Sequence, residues 1–244
     1  SELTYRQLTR KYTYRYPVME FLMNFLQSDV IDQPIREWDA MFLPRKLMNH
    51  VGDLRYERNG EMVDLVRKTV VYHESSRPEI PDRAPPHWPG ALVLGLLLAA
   101  PAPWAAWRWR RADDPSRARA VFGGANALVG TTLGLLGLVL MLMMIGTDHD
   151  VTYWNENLWL SNPVMFAAAP VGVAAWRGWS RSVGWLRRCW TFLAITGTLG
   201  VLLKVLPSFD QQNYQSMALI LPVTFAYCWA AWVAPDGGKA AAEG

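Results

Sequence analysis

The residues best suited to chemistry follow a long apolar run. They are Gly146-Thr147-Asp148-His149-Asp150, then Tyr153-Trp154-Asn155-Glu156-Asn157-Leu158-Trp159, then Ser161-Asn162-Pro163. This segment packs carboxylates, one imidazole and several amides beside an apolar stretch. Such a group could orient a lipid headgroup, or His149 could exchange protons while Asp148 or Asp150 fixes its tautomer. The same residue types are ordinary helix caps and turn formers, and residue types alone favour that plainer reading. Asp148, His149, Asn155, Asn157 and Asn162 are the candidate site residues. The two cysteines, Cys189 and Cys228, lie inside apolar runs, as small apolar side chains do. His50, His73 and His87 have no motif around them. No histidine pair at helical spacing, nucleophile elbow or phosphate loop occurs. Residues alone give no complete active site, no metal site and no cofactor.

The elements that would position these residues follow from the distribution of charge. The chain has 244 residues and a net charge of +3, too small for an electrostatic nucleic-acid footprint. Residues 1–87 are rich in both signs of charge, whereas the rest is mostly long apolar runs. A helix needs about 20 apolar residues to cross roughly 30 Å of hydrocarbon, and five segments meet or nearly meet that length. They are 88–107, 120–146, 158–176, 189–206 and 217–234, and Lys204 is the one charge inside them. It sits three residues before Pro207, where it can snorkel to the interface. Backbone groups in lipid must be satisfied within their own segment, so the runs are read as helices. Pro101, Pro103, Pro170 and Pro222 should kink or shorten the first, third and fifth. Gly123, Ala127, Gly130, Gly134 and Gly137 draw a small-residue stripe down the second, which predicts close packing within the bundle.

Arginine decides the orientation. The segment 108–119 carries Arg108, Arg110, Arg111, Arg117 and Arg119, and 177–188 carries Arg177, Arg181, Arg187 and Arg188, while 147–157 and 207–216 carry no Lys or Arg. By the positive-inside rule the arginine loops face the cytoplasm. Residues 1–87 then lie outside, and the tail 235–244, with Lys239, lies inside. A charged head crosses a membrane behind a signal sequence, and none opens this chain at Ser1, so a preceding segment is expected.

The head, 1–76, reads as α+β. Its first apolar group spans Leu3 to Leu26 at helical spacing, interrupted at Pro17, which predicts two helices. Ile35, Trp38, Met41, Phe42 and Leu43 could cap the head or dip into the membrane surface, and core packing is the expected fate. Asn59-Gly60 supplies the positive dihedrals of a tight hairpin between 54–57 and 61–74, with Val66, Val70 and Tyr72 on a buried face. A proline-rich connector, 77–87, leads to the bundle at 88–234. The fold class is therefore mainly α: a polytopic membrane protein with a five-helix bundle and a small exported head.

Three stretches carry a resemblance over nearly the whole chain. They are Leu3-Thr4-Tyr5-Arg6; Asp32-Gln33-Pro34 with Met41-Phe42-Leu43-Pro44; and the polar segment from Gly146 to Pro163. In these the chain resembles the Lnb-type lipoprotein N-acyltransferase family, with Tyr5 and Arg6 as its head motif. The resemblance implies a papain-like exported domain followed by five membrane helices, in the inner membrane of a bacterium. It also implies transfer of an acyl chain from a membrane lipid, or from a lipoprotein's own glycerol, to the lipoprotein's terminal cysteine. The implied partners are phospholipid and lipoprotein. The family's histidine region and asparagine-cysteine segment have no counterpart here, since no cysteine precedes Cys189. The nucleophile would belong to a longer parent protein, with this chain as its membrane module. A non-enzymatic membrane anchor or assembly factor with an exported binding head is the alternative. A transporter is disfavoured by the lack of charge within the spans.

Overall fold

Among the described residues, five helical stretches are long and apolar enough to span a bilayer: Trp88–Arg111, Ser116–Gly146, Asn157–Trp176, Ser182–Val205 and Tyr214–Val233. The structure, a computed structural model, describes residues 3–74, 76 and 78–235. Apart from Pro235, the expected cytoplasmic tail lies outside the described residues. The chain is a multi-pass membrane protein, mainly helical, with one small two-stranded sheet. It divides into two compact units, one of residues 1–15 and 31–84, the other of 16–30 and 85–244.

In the first unit, α1 (Tyr5–Thr13) opens with a capping box. The Thr4 hydroxyl accepts from the Gln7 N–H, and the Gln7 side chain accepts from the Thr4 N–H. This satisfies two of the donors that a helix start leaves without partners. Helices α3 (Glu37–Ala40) and α4 (Pro44–Gly52) follow, then the hairpin β1 (Arg55–Arg58) and β2 (Glu61–Asp64). Asn59 and Gly60 take φ of 55° and 84°, the left-handed pair that a two-residue hairpin turn requires. Leu8, Ile35 and Ala40 form the small buried core, with Leu3, Tyr5 and Leu43 against it.

Two expectations for this unit are corrected. Trp38 and Phe42 are exposed, at 78% and 65%, because α3 turns Ala40 and not Trp38 to the core. The second strand stops at Asp64: β1 is four residues long, and after the Leu65 N–H reaches Leu54 O no partner backbone remains. Val70 and Tyr72 are accordingly exposed and outside any strand.

The second unit holds the spans and α2 (Pro17–Leu26). The first span is two helices, α5 (Trp88–Ala99) and α6 (Pro101–Arg111), broken at Ala100 where Pro101 can donate no hydrogen bond. The second is α7 (Ser116–Gly146), whose 31 residues run about 46 Å at 1.5 Å each. The third is composite: α8 (Asn157–Leu160), a 3-10 turn at Pro163–Ala167, then α9 (Ala168–Trp176) with Pro170 in its first turn. Helix α10 (Ser182–Leu202) and a 3-10 turn make the fourth. The fifth, α11 (Tyr214–Val233), runs through Pro222 uninterrupted, contrary to shortening there. Pro222 leaves Ala218 O without its helical donor, and α5 packs its backbone against that place at Gly95. A methyl group on Gly95 would come within 2.9 Å of Ala218 O and 2.5 Å of Leu219 O.

The glycine stripe of α7 lies against the third span. A methyl group on Gly123 would meet Gly172 O at 2.5 Å, and one on Gly134 would meet Phe166 N at 2.4 Å. The bundle thus packs backbone to backbone along this seam, the contact that small residues permit in lipid. A polar pair joins α10 to α7 beside it. Trp190 Nε1–H donates to Asn126 Oδ1 at 2.7 Å, and Asn126 Nδ2 donates to Phe122 O at 2.8 Å, so both buried groups are satisfied.

Candidate functional site

The end of α7, the starts of α8 and α11 and the end of the fourth span lie at one end of the bundle, and there the chain buries a cluster of amides. The segment before α8 cannot continue the helix of α7: Thr147 is extended and Trp154 takes φ of 55°. That irregular backbone turns Asn155 and Asn157 inward, 3% and 0% exposed. Both donate to a single acceptor. Asn155 Nδ2 reaches Phe25 O at 3.1 Å and Asn157 Nδ2 reaches the same oxygen at 2.8 Å, so the C-terminal end of α2 is held by two side-chain amides. These donors stand in for the helical partners that the last carbonyls of a helix lack.

A second layer supports them. Asn155 Oδ1 accepts from the Asn157 N–H and from Gln211 Nε2, and Asn157 Oδ1 accepts from Asn213 Nδ2. Gln211 Nε2 also donates to Gln27 O at 2.9 Å. Glu156 and Gln211 bond reciprocally, each backbone N–H donating to the other's side-chain oxygen, at 2.8 and 3.0 Å. Lys204 pairs with Glu156, and its Nζ donates to Gln211 O. The charge within the fourth span is thus compensated by a buried carboxylate, beyond the simple snorkelling expected of it. Ser28 N–H donates to Val151 O at 2.7 Å, and Glu20 of α2 pairs with His87, just before α5.

The candidate residues separate into two groups. Asn155 and Asn157 belong to this network. Asp148 and His149 are exposed on the loop before it, with His149 O accepting from the Thr152 N–H and hydroxyl. Asn162 Oδ1 caps the 3-10 turn by accepting from the Val164 N–H. In the other unit, Arg6 is 2% exposed and forks onto Asp32, Nε to Oδ1 at 2.6 Å and a terminal nitrogen to Oδ2 at 3.1 Å. Thr4 bridges to Pro34 and the Ile35 N–H donates to Leu3 O, so two of the stretches that carry the resemblance fold against each other. Tyr5 borders that small core.

Two cavities flank the 207–211 loop. One, of about 650 Å³, is lined by Met144, Leu158, Trp159 and Phe209 with Asn155 and Glu156 at its wall. The other, about 480 Å³, includes Lys204, Pro207, Asp210 and Tyr214. Trp154, 87% exposed, borders the larger. The arrangement can hold an apolar chain beside a polar, hydrogen-bonded wall.

Compared with protein-family models, residues 91–234 match the Lnb transmembrane domain. The chain belongs to the Lnb family. No curated protein and no solved structure matches it. The match takes in the first span from residue 91 and the other four whole, including the segment between α7 and α9 that carries Asn155 and Asn157. Gln211, Asn213 and Glu156 were not singled out from sequence as site residues. Their signal was the lysine- and arginine-free segment 207–216, whose Gln211-Gln212-Asn213 run lies on the same side as Asn155 and Asn157 in an alternating topology.

Proposed function

We propose that this chain is the membrane module of a lipoprotein N-acyltransferase in the bacterial inner membrane. In this reading the amide-rich end faces outward and the arginine-rich end faces the cytoplasm. Residues 1–76 close the exported part, 77–87 connect it to the spans at 88–234, and the tail 235–244 is cytoplasmic. The observation that carries the reading is the match to the Lnb transmembrane domain over 91–234.

The chemistry is acyl transfer in two steps. A thiolate supplied by a segment outside this chain attacks the donor ester and releases the lyso-lipid, forming an acyl-enzyme. The lipoprotein's α-amine then attacks that thioester and releases the thiolate as the amide forms. Neither cysteine of this chain serves. Cys189 lies within two residues of Arg187 and Arg188, at the end of the bundle remote from the amides, and Cys228 lies near the close of α11 at that same end. The cavity of about 650 Å³ beside Asn155 and Glu156 suits an acyl chain. Asn155 and Asn157, committed to Phe25 O, act as positioning residues. Asp148 and His149, exposed beside them, are the groups free to meet a headgroup or the incoming amine.

The test is the mass of lipoprotein N-terminal peptides from cells carrying the full-length gene, a deletion, or the double variant Asp148→Ala/His149→Ala. Deletion is expected to convert N-acylated peptides to free amines. The double variant should lower N-acylation about tenfold at unchanged protein level, the scale of losing orientation. Acylation that survives deletion contradicts the enzyme reading and puts the anchor reading first.

A further inference from the structure

Helix α2 is apolar on its outward face and buries its polar side chains. From residue 16 to 28 the chain carries one charge, Glu20, and that side chain is fully buried. Asn24, the only amide within the helix, is 7% exposed. The outward side chains are Val18 at 74%, Met19 at 52% and Leu22 at 38%, preceded by Tyr16 at 66%. Spacing of one and three residues places these on one stripe, and Glu20 and Asn24, four apart, on another. A surface helix bathed in water turns its apolar stripe inward. On its inward side Phe25 is fully buried in the bundle core with Phe21 and Leu26 beside it, Glu20 pairs with His87, and two asparagines bond the Phe25 carbonyl, while the apolar stripe of Val18, Met19 and Leu22 is left outside.

We infer that α2 lies in the plane of the bilayer surface, with Val18, Met19 and Leu22 among lipid chains and Glu20 and Asn24 turned to protein. Three observations select lipid as the occupant. The helix has 10 residues, about 15 Å, half of what a crossing requires, so it lies along the membrane and not through it. Its end is bonded by Asn155 and Asn157 at the start of the third span, and at that end of the bundle Ile145 is 73% and Val205 83% exposed. Its outward stripe carries no polar group that a protein partner would match, and no Lys or Arg that would select anionic lipid. The amide cluster is thus roofed by a lipid-embedded helix. The inference rests on the five spans and stands whether or not the protein transfers acyl groups.

The experiment uses the full-length protein with Cys189→Ala and Cys228→Ala, reconstituted in phosphatidylcholine vesicles. Nitroxide labels are placed through Val18→Cys, Met19→Cys and Leu22→Cys. Collision with oxygen, which favours lipid, is compared with collision with a water-soluble nickel chelate. Ile145→Cys supplies the lipid reference and Tyr72→Cys, at a position 95% exposed in the other unit, the aqueous one. The oxygen-to-nickel ratio on α2 is expected within about twofold of the Ile145→Cys value, with no change when anionic lipid is added. A ratio matching Tyr72→Cys, or protection from both reagents, overturns the inference, the second outcome assigning the stripe to a protein partner. The unaltered protein gives an independent reading through a diazirine-bearing lipid. Crosslinks on residues 16–26 are expected, and crosslinks confined to the spans overturn it.

Discussion

The two ends of the bundle handle polarity in opposite ways. At one end, neutral amides and one ion pair are buried, and each polar atom named in the network above is spent on another part of the chain: Asn155 and Asn157 on Phe25 O, Gln211 on Gln27 O and Glu156, Lys204 on Glu156. At the other, arginines rest on aromatic rings, Arg111 and Arg188 exposed and Arg187 half-buried with its Nε donating to Ala231 O. Arg111 lies 4.5 Å from the Trp107 ring centre, Arg187 4.8 Å from that of Trp232 and Arg188 5.1 Å from that of Trp185. At exposed sites, as for Arg111 and Arg188, such contacts are each worth roughly 0.5–1 kcal/mol. The difference teaches where specificity resides. The arginine end supplies charge and anchoring, for which many geometries suffice, whereas the amide end depends on particular atoms at particular distances.

That contrast can be broken most severely at Asn157. Asn157→Leu removes a donor to Phe25 O and the acceptor of Asn213 Nδ2. Asn155 still serves Phe25 O, so one bond worth about 1 kcal/mol is lost there, and the orphaned Asn213 amide adds about 1–3 kcal/mol, for a loss of roughly 3 kcal/mol. Thermal unfolding in detergent measures it, and protease nicking near residues 16–30 should rise first, since Asn155 alone then holds the end of α2. Next is Lys204→Met, which leaves Glu156 without its cation. Lys204 is 21% exposed, so water reaches the pair and the cost falls below the ~3–5 kcal/mol of a dry one, to about 2 kcal/mol. Adding Glu156→Gln to Lys204→Met should restore part of that stability in the same melt.

The smallest effect belongs to the arginine end. Asp114, in the turn before α7, accepts from the Ser116 N–H and hydroxyl at 2.9 Å each. Those bonds hold its pKa below the ordinary 3.8. A depressed carboxylate contributes its stabilisation above the unfolded pKa and loses it as pH falls through the folded one. The first turn of α7 should therefore keep its amide protection above pH 3.8 and lose it progressively below. Asp114→Asn should flatten this dependence, read by hydrogen exchange at Ser116.

Much of this architecture could be read directly from the residues, for physical reasons that also mark where reading ended. The spans follow from length and hydropathy, and the break at Ala100 from Pro101, because those rules concern each segment alone. The glycine seam was legible because small residues at intervals of three and four have few other uses in lipid. Helix α2 was legible as a helix but not as a member of the membrane unit. Its tether is Phe25 O, and a backbone carbonyl leaves no trace in residue type. For the same reason Asn155 and Asn157 could be singled out while their partner could not. The strand beyond Asp64 was overextended because alternation at Val66, Val70 and Tyr72 mimics a buried face, whereas β1 is too short to pair with it.

The account depends most on which end faces outward. In a Cys189→Ala/Cys228→Ala background, Asp148→Cys marks the amide end and Ser180→Cys the arginine end, both at exposed positions. A membrane-impermeant maleimide is applied to intact spheroplasts and again after permeabilisation. Labelling of Asp148→Cys in the intact state, with Ser180→Cys labelled only after permeabilisation, is the predicted result. The reverse pattern would place the amide cluster in the cytoplasm and contradict the proposal that it serves exported lipoproteins.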